Sequence, residues 1–156
     1  MFKKLLIVSL AFLTLASCKK DKTESKTYHL TAKIDGVLVD FSEALAAENY
    51  YDPTNGYILS VLGQGGNATV IFPVLDLWIY DDAEITTKTY TLAQNQAYSS
   101  YNDVNQENYD SDTEFSITIT SITATEVKGT FTGKFAQAGS GTIVNVTEGS
   151  FYSKVF

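Results

Sequence analysis

Alternation of apolar and polar residues is clearest in the last third of the chain. Phe115, Ile117 and Ile119 alternate with serine and threonine, and residues 127–135 repeat the pattern with apolar residues and glycine on one side. A period of two with one polar face is typical of antiparallel strands that cover a core on one side only. The pattern therefore predicts two strands, at residues 115–120 and 127–135.

The final segment is also strand-like, but its parity changes part-way along. Val144 and Val146 share one face, whereas Phe151 and Val155 have the opposite parity. An extra residue near Gly149 would bring both pairs to the same face, and glycine is a common site for such a bulge. We therefore expect one strand with a bulge near Gly149.

Turn residues separate shorter apolar runs in the rest of the chain. Asp35-Gly36 lies between runs at residues 28–34 and 37–41, and this dipeptide is a strong hairpin signal. Pro73 cannot donate a hydrogen bond to a ladder, so it marks an edge or a bulge between two runs. Further strands are predicted at residues 57–62, 68–72, 75–80, 87–92 and 97–101.

Residues 42–48 carry the best helix signal. Ser42 is a good N-cap, and alanine, leucine and glutamate follow it. The segment is short, so we expect one or two helical turns or an irregular edge. The patterns together predict a single all-β domain at residues 27–156, an antiparallel β-sandwich or small barrel of about eight or nine strands.

The first 26 residues have a different character. Lys3 and Lys4 precede an apolar run at residues 5–16, and small residues lead into Cys18, the only cysteine of the chain. A charged start, a short apolar core and a small-residue cleavage site are typical of a secretory signal. The run is shorter than the roughly 20 residues of a membrane span. Residues 1–17 are therefore predicted to be a cleaved signal peptide.

The stretch Leu15-Ala16-Ser17-Cys18 resembles the lipobox of bacterial lipoprotein precursors. The resemblance implies that Cys18 becomes the first mature residue and carries lipid, and two or more acyl chains give stable membrane attachment. The alternative is an ordinary signal peptide followed by an incidental cysteine. Residues 19–26 contain no apolar residue, so residues 18–26 are predicted to be a lipidated cysteine and a flexible tether. In lipoproteins of the kind that this stretch resembles, an acidic run after the cysteine is associated with transfer to the cell surface. The resemblance and the lack of such a run after Cys18 therefore favour the periplasm-facing leaflet of an outer membrane.

Charge excludes one class of partner. Residues 27–156 contain five lysines, no arginine and 16 acidic residues, which gives a net charge of −11. A nucleic-acid binder needs a basic surface to neutralise phosphates. We therefore expect no nucleic-acid partner, and the oligomeric state stays open.

Signals for catalysis are weak. His29 is the only histidine, so any histidine-based mechanism would need it, and it lies in the first predicted strand. Asp81, Asp82 and Glu84 form an acidic cluster, but neighbours on a turn rarely face each other across a cleft as glycoside hydrolysis requires. Residues 63–66 lack the lysine and the helix of a phosphate-binding loop. We predict no enzyme activity.

Residues 103–114 have oxygen-bearing side chains at a spacing similar to that of a calcium-binding loop, and calcium takes six to eight oxygen ligands. Asn108 stands where such loops need glycine, and no predicted helix flanks the segment. A calcium site and a plain polar loop are both open. The ligands of the calcium site would be Asp103, Asn105, Glu107, Asp110, Asp112 and Glu114.

Aromatic residues offer a second kind of site. Tyrosine and tryptophan combine a flat apolar face with a polar group, which suits sugars and other amphipathic ligands, although strand packing explains them equally well. The residues that could line a groove are Tyr50, Tyr51, Tyr57, Trp78, Tyr80, Tyr98, Tyr101 and Tyr109. Within this set we predict that Trp78, Tyr98, Tyr101 and Tyr109 bind a ligand.

Four short stretches of the predicted mature chain, taken in order, carry a second resemblance. They are Ala32-Lys33-Ile34-Asp35-Gly36, Ile117-Thr118-Ile119-Thr120, Gly129-Thr130-Phe131-Thr132-Gly133-Lys134-Phe135 and Thr147-Glu148-Gly149-Ser150-Phe151. In this order the chain resembles small lipoproteins of unknown function that are abundant in Bacteroidota. The resemblance covers most of the mature chain, although residues 42–112 match it only loosely. It implies a lipid-anchored β-domain and no particular activity.

The sequence thus favours a non-catalytic, outer-membrane-anchored lipoprotein that binds or scaffolds a protein or glycan of the cell envelope. The alternative is a ligand carrier of calycin or carbohydrate-binding type that uses the tyrosine-rich segment 98–109. A small hydrolase that uses acidic residues is the least favoured class.

Replacing Cys18 with serine tests the anchor. We expect the variant to lose incorporation of labelled palmitate and to leave the membrane fraction, because a hydroxyl cannot replace the acylated sulfur. The measurement is palmitate labelling and fractionation beside the unaltered chain. Continued labelling of the variant would rule out lipidation at Cys18.

Overall fold

The computed structural model describes residues 27–66, 72–112 and 114–156. Of the described residues, 66% are in strands and 2% in helix, which confirms the all-β prediction. The predicted signal peptide, Cys18 and the tether lie outside the described residues. In the described part of the chain, no helix has the length and apolar character that a membrane span requires.

The described residues form eleven strands and one short 3₁₀ helix, Leu92–Gln94. All the paired strands are antiparallel. The strands are β1 His29–Ile34, β2 Val37–Asp40, β3 Ala44–Asp52, β4 Gly56–Gln64, β5 Val74–Asp81, β6 Thr89–Thr91, β7 Ala97–Asn102, β8 Asn108–Ser111, β9 Ser116–Ile122, β10 Glu126–Gln137 and β11 Ile143–Lys154.

One curled sheet contains all of these strands. Nine of them follow the order β2-β1-β11-β10-β8-β7-β5-β4-β3 and form a half-barrel. The long strand β10 pairs along one edge with β11, and along its other edge first with β9 and then with β8. Strands β9 and β6 lie off the nine-strand path: β9 pairs with β10, and β6 pairs with β9. The nine-strand path agrees with the predicted small barrel.

Backbone hydrogen bonds join the two margins of the curled sheet. Between β2 and β3 the chain crosses from one margin to the other: the amide of Phe41 donates to the carbonyl of Leu30 (2.8 Å), and the amide of Glu43 donates to the carbonyl of Gln64 (3.0 Å). At the C-terminus the amide of Phe156 donates to the carbonyl of Ala47 in β3 (3.0 Å). These contacts place β1 and β11 beside β3 and β4 and enclose the core.

Reciprocal pairs of phenylalanine and glycine shape the centre of the sheet. Phe131 of β10 lies opposite Gly149 of β11, and Phe151 of β11 lies opposite Gly129 of β10. A Cβ atom at Gly149 would lie 2.6 Å from Cδ2 of Phe131, so a side chain there would displace the ring. The glycines of the alternating pattern therefore occupy core positions and leave room for the rings of the neighbouring strand.

The predicted bulge is confirmed. Phe131 pairs with Gly149, but Gly133 pairs with Val146, so β11 contains one more residue than β10 between these two pairs. Glu148, just before Gly149, has a φ of 51°. The extra residue restores the parity of β11, and Val146 and Phe151 are both buried.

Two of the local predictions have other outcomes. Helix formation within residues 42–48 is wrong, because β3 begins at Ala44 and pairs with β4 along its whole length. Its mostly exposed side chains fit the alternative prediction of an edge, and the ladder of hydrogen bonds outweighs the helix propensity of alanine and leucine. The strand predicted at residues 68–72 falls largely outside the described residues, and β5 begins at Val74, just after Pro73.

Replacing Phe135 with alanine tests the core. Phe135 is fully buried and packs edge-on against Phe115, with ring centroids 5.4 Å apart. We expect a loss of about 3–5 kcal/mol in the free energy of unfolding, measured by urea denaturation. The matched control is alanine at Phe156, whose side chain is 73% exposed, and its effect should stay within about 0.5 kcal/mol. Similar losses in both variants would contradict the assignment of the core.

Candidate functional site

An aromatic surface lies on the outer face of strands β3, β4, β5 and β7. Tyr98 of β7 is opposite Trp78 of β5, and Tyr80 of β5 is opposite Ile58 of β4. Ile58 is in turn opposite Tyr50 of β3. Directly opposed residues of antiparallel strands share one face of a sheet. We call the four aromatic residues Tyr50, Trp78, Tyr80 and Tyr98 the aromatic row.

The rings of Trp78, Tyr80 and Tyr98 lie close to one another. The ring centroids of Trp78 and Tyr80 are 6.3 Å apart with planes 10° from parallel, and those of Tyr80 and Tyr98 are 5.6 Å apart and nearly perpendicular. Ile58 is only 4% exposed although it lies outside the core cluster, whereas Tyr50 and Tyr98 are 42% and 37% exposed. A contiguous exposed aromatic surface is unusual and typical of an interaction site.

A polar groove adjoins the aromatic row. One part, of about 460 Å³, is lined by Asn55, Tyr80, Asn95 and Tyr98. A second part, of about 230 Å³, shares the first three of these residues, so the two parts are continuous. The further residues of the second part are Asp81, Asp82, Gln94 and Gln96. We call the whole the amide groove, because its carboxamides supply both donors and acceptors of hydrogen bonds.

A tight turn positions Asn55. Oδ1 of Asp52 accepts hydrogen bonds from the backbone amides of Thr54 and Asn55, both at 2.8 Å, and from the side-chain amide of Asn55 at 3.1 Å. An aspartate that bonds the backbone two and three residues ahead is a typical turn former. Asn55 is thus fixed at the end of the β3–β4 hairpin, beside Tyr80.

Asn95 is positioned by the segment that follows β6. It ends the 3₁₀ helix with a φ of 57°, a left-handed conformation that asparagine tolerates, and its amide donates to the carbonyl of Leu92 (2.8 Å). The next residue, Gln96, accepts a hydrogen bond from the amide of Tyr80 (2.8 Å). This backbone contact ties the polar wall of the amide groove to the centre of the aromatic row.

Asp81 supplies a carboxylate to the amide groove. Partial burial raises its pKa, but hydrogen bonds from Lys88 and from the amide of Ala83 outweigh that effect, so the pKa of Asp81 lies below its ordinary value. The side chain of Asp81 is only 10% exposed. Asp81 is therefore ionised at neutral pH and accepts hydrogen bonds.

Tyr80 has the opposite electrostatic character. Burial raises the pKa of Tyr80, and the neighbouring phenols of Tyr50 and Tyr98 raise it further. Tyr80 therefore stays protonated and can donate a hydrogen bond from the middle of the aromatic row.

The predicted ligand-binding residues divide between two faces of the sheet. Trp78 and Tyr98 lie on the outer face, whereas Tyr101 and Tyr109 lie on the core face. These two are paired across β7 and β8 with ring centroids 5.9 Å apart, and they are only 7% and 6% exposed. Tyr98 and Tyr101 have opposite parity, so one strand directs them to opposite faces.

Sequence reasoning included Tyr50 and Tyr80 in the wider aromatic set but missed the polar residues of the amide groove. Asn55 and Asn95 are 40 positions apart and belong to different turns. No local pattern shows that the two turns meet beside Tyr80. The pairing of β3, β4, β5 and β7 brings them together.

The predicted calcium ligands do not converge. Both Asn105 and Glu107 donate backbone hydrogen bonds to Asp103 (2.8 and 2.9 Å), and Glu114 forms an ion pair with Lys134 (2.8 Å). In the described ranges, no three Asp, Glu, His or Cys side chains could hold a metal ion together. The segment forms the β7–β8 turn and the short strand β8, and this arrangement keeps the predicted calcium ligands apart. The predicted set was Asp103, Asn105, Glu107, Asp110, Asp112 and Glu114.

No protein-family model matches the chain, and neither a curated protein nor a solved structure is significantly similar to it. The function is therefore inferred from the aromatic row and the amide groove.

Replacing Lys88 with glutamine tests the electrostatics of the groove. Because the folded-state pKa of Asp81 is lowered, its ionised form stabilises the fold above about pH 4, and this contribution is lost as the pH falls through the folded-state pKa. Without Lys88, the pKa of Asp81 should rise and less stability should be lost on acidification. Carboxyl NMR titration and urea unfolding between pH 5 and pH 2 measure both.

The control for this prediction is glutamine at Lys154, which lies over the ring of Phe156. That change should leave the pKa of Asp81 where it is. An unaltered pKa in the Lys88 variant would show that the ion pair does not set it.

Proposed function

We propose that this protein is a lipid-anchored, non-catalytic module that binds glycans in the bacterial cell envelope. The observation that carries the proposal is the aromatic row beside the amide groove. Aromatic rings offer flat apolar faces to the C–H groups of sugar rings, while carboxamides and an ionised carboxylate can bond the sugar hydroxyls. Tyr98 and Asn95 bring both kinds of contact into one groove.

Binding is better supported than hydrolysis. Glycoside hydrolysis needs a pair of carboxyl groups on opposite sides of the scissile bond, one of which has a raised pKa and acts as the acid. In the amide groove, Asp81 and Asp82 are chain neighbours, and Lys88 helps to lower the pKa of Asp81. Such a carboxylate suits a hydrogen-bond acceptor rather than a proton donor.

A surface site is better supported than an internal one. A carrier of calycin type holds its ligand inside the curled sheet. Here large side chains with less than 2% exposure occupy that space, including Tyr90, Phe115 and Phe135. The outer face, by contrast, combines exposed rings with open grooves.

The proposed location depends on the N-terminus and on the resemblance to Bacteroidota lipoproteins. A lipid on Cys18 and a tether of residues 19–26 would hold the domain close to an outer membrane. The tether joins the fold ahead of β1, whereas the aromatic row lies on β3, β5 and β7. The glycan partner would then be a component of the envelope or of its surroundings.

Affinity electrophoresis tests the proposal. The domain is run in gels that contain laminarin, xylan, galactomannan, soluble chitosan or heparin. We expect retardation by at least one neutral or amino polysaccharide, and loss of that retardation in the Tyr98→Ala variant, because the ring forms part of the groove. Alanine at Tyr80 should act in the same way.

The matched control is the Tyr152→Ala variant. Tyr152 is a half-buried tyrosine of β11 that contacts Tyr28 and Lys128, away from the groove. It should be retarded as strongly as the unaltered domain, and thermal melting should show that each variant folds. The proposal fails if no polysaccharide retards the domain, or if the Tyr98 and Tyr152 variants behave alike.

A further inference from the structure

We infer that the site takes an uncharged or amino-bearing oligosaccharide of about three sugar units, laid across the strands along the aromatic row, and that it rejects anionic glycans. This inference rests on the proposed glycan-binding function. It adds the length and the charge of the ligand.

The length follows from the arrangement of the strands. The aromatic row begins at Tyr98 on β7, passes Tyr80 on β5 and ends at Tyr50 on β3, with Ile58 of β4 between the last two. Three steps between neighbouring strands span about 14 Å, which accommodates about three pyranose units of an extended chain. The ligand therefore crosses the strands instead of running along one of them.

Three of the four rings of the aromatic row, those of Tyr98, Tyr80 and Tyr50, would each contact one sugar unit. Tyr80 holds the centre, with Tyr98 at 5.6 Å on one side and Tyr50 beyond Ile58 on the other. Asn55 and Asn95 line the groove at the Tyr80 and Tyr98 end, so the polar contacts are concentrated there. The unit over Tyr50 depends mainly on ring contact.

The charge preference follows from the distribution of lysine. Strands β3, β4, β5, β7 and β8 contain no lysine and no arginine. Glu48 shares the outer face with Tyr50, and Asp76 shares it with Trp78, because each pair is two residues apart on one strand. The aromatic row therefore lies among negative charges.

Positive charge is concentrated elsewhere in the described domain. Lys88 is paired with Asp81 at the end of the groove. The other lysines of the domain, Lys33, Lys128, Lys134 and Lys154, belong to β1, β10 and β11. A carboxylated or sulfated sugar would meet repulsion at the row, where the nearby Lys88 is already paired with Asp81, whereas the ammonium group of an amino sugar would be attracted.

A series of defined oligosaccharides tests the inference with the whole domain. Neutral, amino, uronate and sulfated series of one to six units are immobilised, and binding is measured at low ionic strength, where charge effects are largest. We expect affinity to rise up to about three units and then change less than twofold. Uronate and sulfated members should bind at least tenfold more weakly than neutral ones of equal length.

A variant at the end of the row makes the length measurement specific. In Tyr50→Ala, the affinity for the trisaccharide should fall roughly threefold to tenfold, the range expected for one aromatic contact, while the disaccharide affinity stays unchanged. The matched control is Tyr152→Ala, because Tyr152 is a half-buried tyrosine of β11 that packs against Tyr28, away from the aromatic row.

The outcomes separate this inference from the function on which it rests. If a single sugar binds as well as three, if affinity keeps rising to six units, or if anionic members bind equally well, the inference is wrong. Glycan binding itself would still stand, provided that Tyr98→Ala abolishes it. If no member of any series binds, the proposed function and this inference both fail, and the aromatic row is then better explained as a surface for a protein.

Discussion

The architecture depends on the contact between phenylalanine rings and glycines at the β10–β11 pair. Phe131 and Phe151 each lie over a glycine of the opposite strand, where any side chain would collide with a ring. Glycine also allows a strand to twist and bend more than other residues do. Strand β10 can therefore pair with β9 along one part of its edge and with β8 along the next part. Through β8 the sheet continues to β7, β5, β4 and β3, which carry the site.

Much of the fold could be predicted because local patterns and pairing agree in β9, β10 and β11. In β9 the inward residues are apolar and the outward ones carry hydroxyl groups. In β11 a single extra residue accounts for the change of parity. Residues 42–48 show the limit. Their composition favours a helix, but β4 offers an unpaired edge, and that partner cannot be read from the segment itself.

The site was less predictable because faces and neighbours are decided by pairing. Strand β7 has a tyrosine on each face, at Tyr98 and Tyr101, so its sequence does not say which one meets water. The opposed residues decide it, since Trp78 lies on the outer face and Tyr109 in the core. The spacing of acidic residues in segment 103–114 likewise does not indicate that Glu114 forms an ion pair with Lys134.

The stretches that resemble Bacteroidota lipoproteins come together in space. The Asp35-Gly36 turn, β9, β10 and β11 lie in one part of the sheet, and Oδ1 of Asp35 accepts a hydrogen bond from the amide of Asn145 (2.8 Å). The relationship to that family stays a prediction. The four stretches lie on β1, β9, β10 and β11 and the adjoining turn, whereas the candidate site lies on β3, β4, β5 and β7.

Ile58 has a consequence for the thermodynamics of binding. It points away from the core and is nevertheless buried, so the outer face has a small apolar layer of its own beneath the rings. Rings held on such a layer lose much of their rotational freedom when the chain folds. A ligand therefore binds a preorganised surface. The side-chain entropy is lost when the chain folds, so it does not reduce the free energy of binding.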